Sequence, residues 1–220
     1  MINVENLIEE LKTHQLMVAV RTETSEDAYN AAVACIEGGI RFIEITFSVP
    51  GADEVIRLLS KDKRASVGAG TVLSTEDVKK ALNAGASYIV SPNFDEEVVK
   101  FTKKEGAMSI PGACTPTEVF RAHKGGGDII KLFPFVEIGG LGFLKAIRGP
   151  MPFVRYMLCG GANLENVPNY LAAGAAGILI GTAIIRRDLV VAKDWKAIAK
   201  LAKSFVGKVE NFARTKPPAS

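Results

Sequence analysis

The sequence predicts a single α/β domain folded as a (β/α)₈ (TIM) barrel with a short N-terminal helix. Three observations carry this. The chain has 220 residues, and barrels of this type run upward from about 200 residues as one unit. A glycine following a helical stretch leads repeatedly into a short apolar run, as in Gly38-Gly39-Ile40-Arg41-Phe42-Ile43, Gly85-Ala86-Ser87-Tyr88-Ile89-Val90, Gly106-Ala107-Met108, Gly126-Gly127-Asp128-Ile129-Ile130 and Gly174-Ala175-Ala176-Gly177-Ile178-Leu179. Glycine past a helix takes the left-handed cap, so each instance reads as helix, cap, strand. The runs are almost continuously apolar, the pattern of parallel strands covered on both faces.

Taken in order, a leading helix over Val4–Thr13 precedes eight strands: Leu16–Val20, Arg41–Thr46, Ser66–Gly70, Tyr88–Ser91, Met108–Ile110, Asp128–Phe133, Val154–Leu158 and Gly177–Ile180. Helices fill the intervals, with acidic, hydroxyl-bearing starts at Ser25-Glu26-Asp27 and Ser74-Thr75-Glu76-Asp77. The same alternation suits an open doubly wound sheet. The count of eight and the lack of a G-x-G-x-x-G fingerprint favour the barrel. Residues 1–214 form that barrel and 215–220 (Thr-Lys-Pro-Pro-Ala-Ser) a disordered tail.

Composition removes several function classes. Lys+Arg 27 against Asp+Glu 24 leaves a net charge of +3 with the signs interspersed, unlike a nucleic-acid binder. The basic stretch Lys193 to Lys216 reads as the solvated face of a helix. The longest apolar stretch, Tyr170 to Ile185, falls short of the ~20 residues of a membrane span and is broken by glycines and Thr182. The N-terminus opens on an amphipathic segment without a secretory signal. Cys35, Cys114 and Cys159 are scattered, with no disulfide framework or metal spacing, which suits reduced thiols in the cytoplasm. His14 and His123 have no ligand cluster beside them and read as surface residues, so no metal site is expected.

Charges inside apolar strands are the informative exceptions. Glu44 interrupts Phe42-Ile43-Glu44-Ile45, and Lys131 interrupts Ile129-Ile130-Lys131-Leu132. If the flanking isoleucines and Leu132 face the helices, both charges face the barrel interior, near the strand ends that carry chemistry in this fold. One reading is a buried ion pair that closes the barrel. The other is catalytic: apolar surroundings free an amine to attack a carbonyl, while a carboxyl shuttles protons. A carboxylate nearby opposes the first effect, and the sequence leaves the balance open. Late in the chain, Cys159-Gly160-Gly161-Ala162-Asn163 follows strand seven and Gly181-Thr182-Ala183 follows strand eight. Backbone amides there, with the Thr182 hydroxyl, suit a phosphate cradle.

These residues resemble the 2-keto-3-deoxy-6-phosphogluconate / 4-hydroxy-2-oxoglutarate aldolases over nearly the whole chain. The carriers are Gly38-Gly39 through Ile43-Glu44-Ile45-Thr46, Val67-Gly68-Ala69-Gly70-Thr71-Val72-Leu73, Ser91-Pro92, Ile110-Pro111-Gly112 leading to Thr115-Pro116-Thr117-Glu118, Lys131-Leu132-Phe133-Pro134 and Gly160-Gly161. The resemblance implies a class I aldolase with Lys131 as the Schiff-base lysine and Glu44 as the general acid/base. It implies that Thr71, Pro92 and Phe133 line the pyruvyl pocket, Thr71 near the carboxylate, and that the protein is a homotrimer needing no metal and no cofactor. The expected partners are a 2-oxo acid and a (phospho)aldehyde: pyruvate and glyceraldehyde 3-phosphate, or alternatively pyruvate and glyoxylate.

The chain departs from the family at several positions. Cys159 stands where relatives often carry Thr, and Thr182 where they carry Ser. Ser48 occupies a position that is Arg in some members and a small hydroxyl residue in others. Arg21, the candidate cation for the phosphate, comes about one residue early. Phe135 and Val136 replace a small residue and Glu, and Phe135 is expected to add bulk near the mouth. Two rival readings are a phosphate-binding barrel without an imine and a catalytically silent assembly barrel.

Overall fold

A computed structural model describes residues 3–215. Residues 216–220, most of the expected tail, lie outside the described residues, and Thr215 closes the last helix. The elements run α1 (Val4–His14), β1 (Leu16–Val20), α2 (Ser25–Glu37), β2 (Phe42–Thr46), α3 (Ala52–Leu59), β3 (Ser66–Gly70), α4 (Thr75–Asn83), β4 (Tyr88–Val90), α5 (Glu96–Lys104), β5 (Met108–Ile110), β6 (Gly112–Ala113), α6 (Pro116–Lys124), β7 (Ile130–Leu132), α7 (Gly140–Arg148), β8 (Tyr156–Cys159), α8 (Val167–Ala172), β9 (Gly177–Ile180), α9 (Arg187–Val191) and α10 (Trp195–Thr215).

Nine parallel strands follow the order β5-β4-β3-β2-β1-β9-β8-β7-β6. Two of them, β5 and β6, are halves of one barrel strand. Pro111 lies between them and has no N–H to donate, so the ladder breaks there. The first half pairs with β4 and the second with β7. The Ser109 carbonyl accepts from the Asp128 amide at 2.9 Å, and the Pro111 carbonyl from the Lys131 amide at 2.9 Å, which joins the two sides. The barrel of eight strands is therefore nearly closed, with its break beside β7.

The expected caps form. One glycine in each of the five repeats has a positive φ: Gly39, Gly85, Gly106, Gly126 and Gly174. At the helix starts, Thr24 and Ser74 accept from the amides of Asp27 and Asp77, and Thr115 with Glu118 makes a reciprocal capping box. These bonds fix where each helix begins and hence the length of the loops above the barrel.

Two apolar layers result. Residues such as Ile43, Ile45, Val67, Ala69, Ile130 and Leu132 face the helices. Met17, Phe42, Tyr88, Met108, Met157 and Leu179 fill the barrel from inside, closed at the N-terminal end by Leu7, Ile8 and Leu11 of α1. The leading helix is thus a plug, and the basic C-terminal helix lays Ile198, Ala202, Phe205 and Val209 onto the outer layer. Because Ile8 is fully buried in the plug, Ile8→Ala should cost about 2–5 kcal/mol, as large-to-small core changes do. Urea unfolding measures it; a loss under about 0.5 kcal/mol, the range of a surface substitution, would mean that α1 does not close the barrel.

Candidate active site

Strand alternation delivers Glu44 and Lys131 to one chamber. Their neighbours Ile43, Ile45, Ile130 and Leu132 pack outward, so both side chains point inward, and both are buried, at 2% and 6% exposure. Neither makes an ion pair among the described residues; the buried-pair reading finds no such contact in the structure. Lys131 Nζ instead lies 4.9 Å from the Phe133 ring centroid, a cation–π contact. Glu44 Oε2 is the one buried side-chain oxygen or nitrogen among the described residues without a hydrogen-bond partner. Leaving such an atom unsatisfied costs roughly 1–3 kcal/mol, more when charged, so an orphan here marks a place where a ligand belongs.

Burial lifts the Glu44 carboxyl above the usual carboxylate range, while the charges of Lys131 and Arg21 pull the other way. An acid so tuned holds its proton nearer neutral pH, where acid–base work is done. Cys159 ends β8 rather than opening the turn after it. Its thiol is pushed up to about 11 by burial, within the field of Lys131, Glu44 and Arg21, and so stays protonated and weakly nucleophilic.

Above the chamber opens a cleft of about 360 Å³ lined by Arg21, Cys159, Gly160, Gly161, Gly181 and Thr182, among others. Lys131 and Glu44, both buried, are not part of this lining; Ala19, the register partner of Glu44, is. Among the described residues, the amides of Gly160, Gly161 and Thr182 donate to nothing within the chain. The two glycine turns therefore offer free donors, with Arg21 as the cleft's one cation.

The remaining expected residues fall in three places. Thr71 adopts φ 57°, a left-handed conformation that a β-branched residue rarely takes, and its hydroxyl accepts from Arg21 Nη2 at 3.3 Å. Strain of this kind gathers where a side chain is held for function. Pro92 and Phe133 line a second cleft, of about 290 Å³, at the rim between β4 and β6. Ser48 is exposed and bonded to Thr46 Oγ1 at 2.9 Å. The expectation for Phe135 is overturned: it is fully buried in the outer core, edge-on to Tyr170 at 5.1 Å, and leaves the mouth free. The exposed residue beside the glycine turn is Val136, and a Cβ at Gly161 would overlap its Cγ2. His14 and His123 are half-buried rather than fully exposed, His123 against the Phe153 ring at 5.1 Å. Gly70, where any added side chain would meet Glu44, escaped the sequence reading because its role depends on register.

A barrel that carries an amine and an acid under an open cleft at the strand ends has the layout of an enzyme working on a carbonyl compound. The chain matches the family model for KDPG and KHG aldolases over residues 7–201. It is 33% identical over 198 residues to a 2-dehydro-3-deoxy-phosphogluconate aldolase of Treponema pallidum, covering 90% of this chain and 94% of that one. To a KHG/KDPG aldolase of Escherichia coli K12 it is 32% identical over 197 residues, with 89% and 92% covered. A crystal structure of the KDPG aldolase from Legionella pneumophila, with pyruvate captured as a covalent carbinolamine, superposes with TM-score 0.82 at 28% identity, over 90% of this chain and 97% of that one. The protein is an aldolase, a carbon–carbon lyase. It belongs to the KDPG and KHG aldolase family.

The electrostatics of Glu44 give a pH-dependent stability. A carboxyl whose folded pKa is raised stabilises the fold fully below its unfolded value, about 4.3, and loses that contribution as pH rises through the folded value. Glu44→Gln, uncharged throughout, should gain on wild type in denaturant midpoint as pH rises from acid to pH 8. A gap that stays constant, or runs the other way, contradicts the burial argument.

Proposed function

We propose that this chain cleaves 2-keto-3-deoxy-6-phosphogluconate to pyruvate and glyceraldehyde 3-phosphate through an imine on Lys131, with Glu44 carrying protons. The observation that carries the reading is the inward, buried amine and acid sharing one chamber without pairing. A covalent carbinolamine in a structural relative of the same family supports it.

In this reading the Lys131 amine adds to the C2 carbonyl, and the carbinolamine loses water, with Glu44 supplying the proton, to give an iminium. The Glu44 carboxylate then takes the C4 hydroxyl proton. The C3–C4 bond breaks, its electron pair moves toward the iminium nitrogen, and the aldehyde leaves behind an enamine. Glu44 returns the proton to C3, water hydrolyses the resulting iminium, and pyruvate departs with the amine restored. The acid lends and recovers one proton, so one buried carboxyl serves every step.

Arg21, expected from the sequence at the phosphate, is bound to Thr71 Oγ1. We assign the Arg21–Thr71 pair to the carboxylate of the 2-oxo acid, with Pro92 and Phe133 flanking the pyruvyl carbons. Ser48 is outside the clefts and is kept as a rim contact. The phosphate falls to the free amides of Gly160, Gly161 and Thr182, the backbone of Gly181 and the Thr182 hydroxyl, which are neutral donors. With Arg21, the cleft's one cation, given to the carboxylate, that neutrality favours a second reading, cleavage of 4-hydroxy-2-oxoglutarate to pyruvate and glyoxylate, because neutral donors alone hold a phosphate less firmly. The protein is further proposed to act in the cytoplasm as a homotrimer; exposed Phe120 and Phe153, 49% and 56% accessible, are apolar surface that a second copy would cover. Light scattering in solution measures that mass.

Borohydride added with pyruvate should fix a stable adduct on the peptide containing Lys131, and Lys131→Arg should abolish cleavage, since a guanidinium stays protonated. An adduct on another lysine, with Lys131 unmodified, would defeat the assignment. For the substrate's two ends, kcat/KM should be compared on both acids. Arg21→Met should reduce both alike, whereas Thr182→Ala should cost the phosphorylated substrate about tenfold or more, the worth of a hydrogen bond to a charged group, and spare the shorter acid. Selective loss with Arg21→Met would return that arginine to the phosphate. Gly161 is unsuited to this test, because its φ of 68° and the overlap with Val136 make any side chain there a backbone perturbation.

A further inference from the structure

We infer that Gly70 is a positioning residue for Glu44: the space left by its missing side chain is where the carboxyl lies. The inference rests on the reading of Glu44 as the proton carrier and adds what holds that proton in place.

The inner face of β3 carries no side chain beyond Ser66. Val67 and Ala69 pack outward, and the inward positions between and beyond them are Gly68 and Gly70. A Cβ at Gly70 would overlap Oε1 and Cδ of Glu44 and come 2.6 Å from its Cγ; these are the three nearest atoms, all from one side chain. The backbone gives no reason for a glycine here, because Gly70 is absent from the positive-φ glycines of the chain. It is an ordinary strand residue whose carbonyl accepts from the Phe47 amide at 2.8 Å. The requirement for glycine at position 70 therefore comes from Glu44.

Register shows what the space does. Glu44 pairs with Gly68 across β2 and β3, and Thr46 pairs with Gly70. The carboxyl thus leans two residues along the strand from its own register partner, toward the C-terminal end where Thr71 and Arg21 meet. Strand side chains lean along the strand in this way, and the gap at Gly70 gives the lean a fixed seat. Gly68 is different in kind: a Cβ there would strike the ring of Tyr88, with no Glu44 atom among its three nearest neighbours. With Oε2 unpartnered, no hydrogen bond from the protein holds the Glu44 carboxyl on that side. Its position is set by the space it occupies, and the absent side chain of Gly70 leaves that space.

The test is a double-mutant cycle on the cleavage rate, combining Gly70→Ala with Glu44→Ala. Alone, Gly70→Ala should lower kcat by about 10²-fold, the cost of a misplacement of roughly 1 Å, while pyruvate and borohydride still label Lys131 as in wild type. The limb of the pH profile belonging to Glu44 should move down toward the ordinary carboxylate range, since a displaced carboxyl is less buried. In the Glu44→Ala background the added methyl should cost nothing further, because the groups it strikes are gone. A Gly70→Ala enzyme within about twofold of wild type, or an equal loss in both backgrounds, would overturn the inference. If Gly70→Ala alone does not fold, recovery of Glu44→Ala stability by the double variant supports the inference, and failure of the double variant overturns it. Absence of the borohydride adduct in wild type would instead defeat the underlying imine reading, so the two failures are separable.

Discussion

A carboxyl with no partner, sealed at 2% exposure beside a lysine that it does not touch, is the constraint that organises the rest of the molecule. An ion pair would satisfy such a group, and among the described residues none is made. The arrangement is held by rigid surroundings: β2 is paired on both sides, Phe42 and Tyr88 fill the floor in a tilted contact at 5.9 Å, and α1 closes the end away from the chemistry. The stability lost at Glu44 is offset by the apolar burial of these neighbours. An acid kept apart from its amine is available to a substrate that comes between them; a closed ion pair would first have to be broken.

Much of this was legible in the chain. Period-two alternation identified Glu44 and Lys131 as inward-facing, because an apolar strand covered on both faces leaves a charge nowhere to go but the interior. The glycine repeat marked five helix ends that take the left-handed cap. Pro111 broke the fifth strand into two segments, and the sequence carried that too, as a residue without a donor; the expected strand simply stopped before it. The lost parts depend on side-chain direction beyond a strand's end. Phe135 was read toward the mouth, yet its amide bonds to Cys159 and the ring turns outward onto Tyr170. The Arg21–Thr71 contact arises from the left-handed backbone at Thr71, which nothing in a Thr predicts. Gly70 matters only through the two-residue lean of Glu44, a property of strand register.

The open end of the site follows a different physics from its floor. Below, a single acid and a single amine lie in apolar surroundings where electrostatics are strong. Above, the glycine turns present unpaired amides to a cleft of about 360 Å³, where water competes and each donor is worth less. Buried pair and open rim are thereby separate, and in the proposed reading the pair carries the reaction while the rim discriminates among aldehydes. The glycine turns and Thr182 belong to the rim, while the acid and the amine belong to the floor.

The central claim is that Glu44 and Lys131 act on one bound carbonyl compound as separate groups, the amine holding it and the acid moving its proton. Exchange of the methyl protons of pyruvate in D₂O, followed by proton NMR, tests this without any aldehyde and so without the rim. Wild type should exchange all three protons through the enamine, and Lys131→Ala should exchange none. Glu44→Gln should still form the borohydride-trapped imine yet exchange about 10²–10⁴-fold more slowly, the usual worth of a general acid–base group. Exchange at the wild-type rate in Glu44→Gln would contradict the account, since the proton would then move without the buried carboxyl around which the barrel is built.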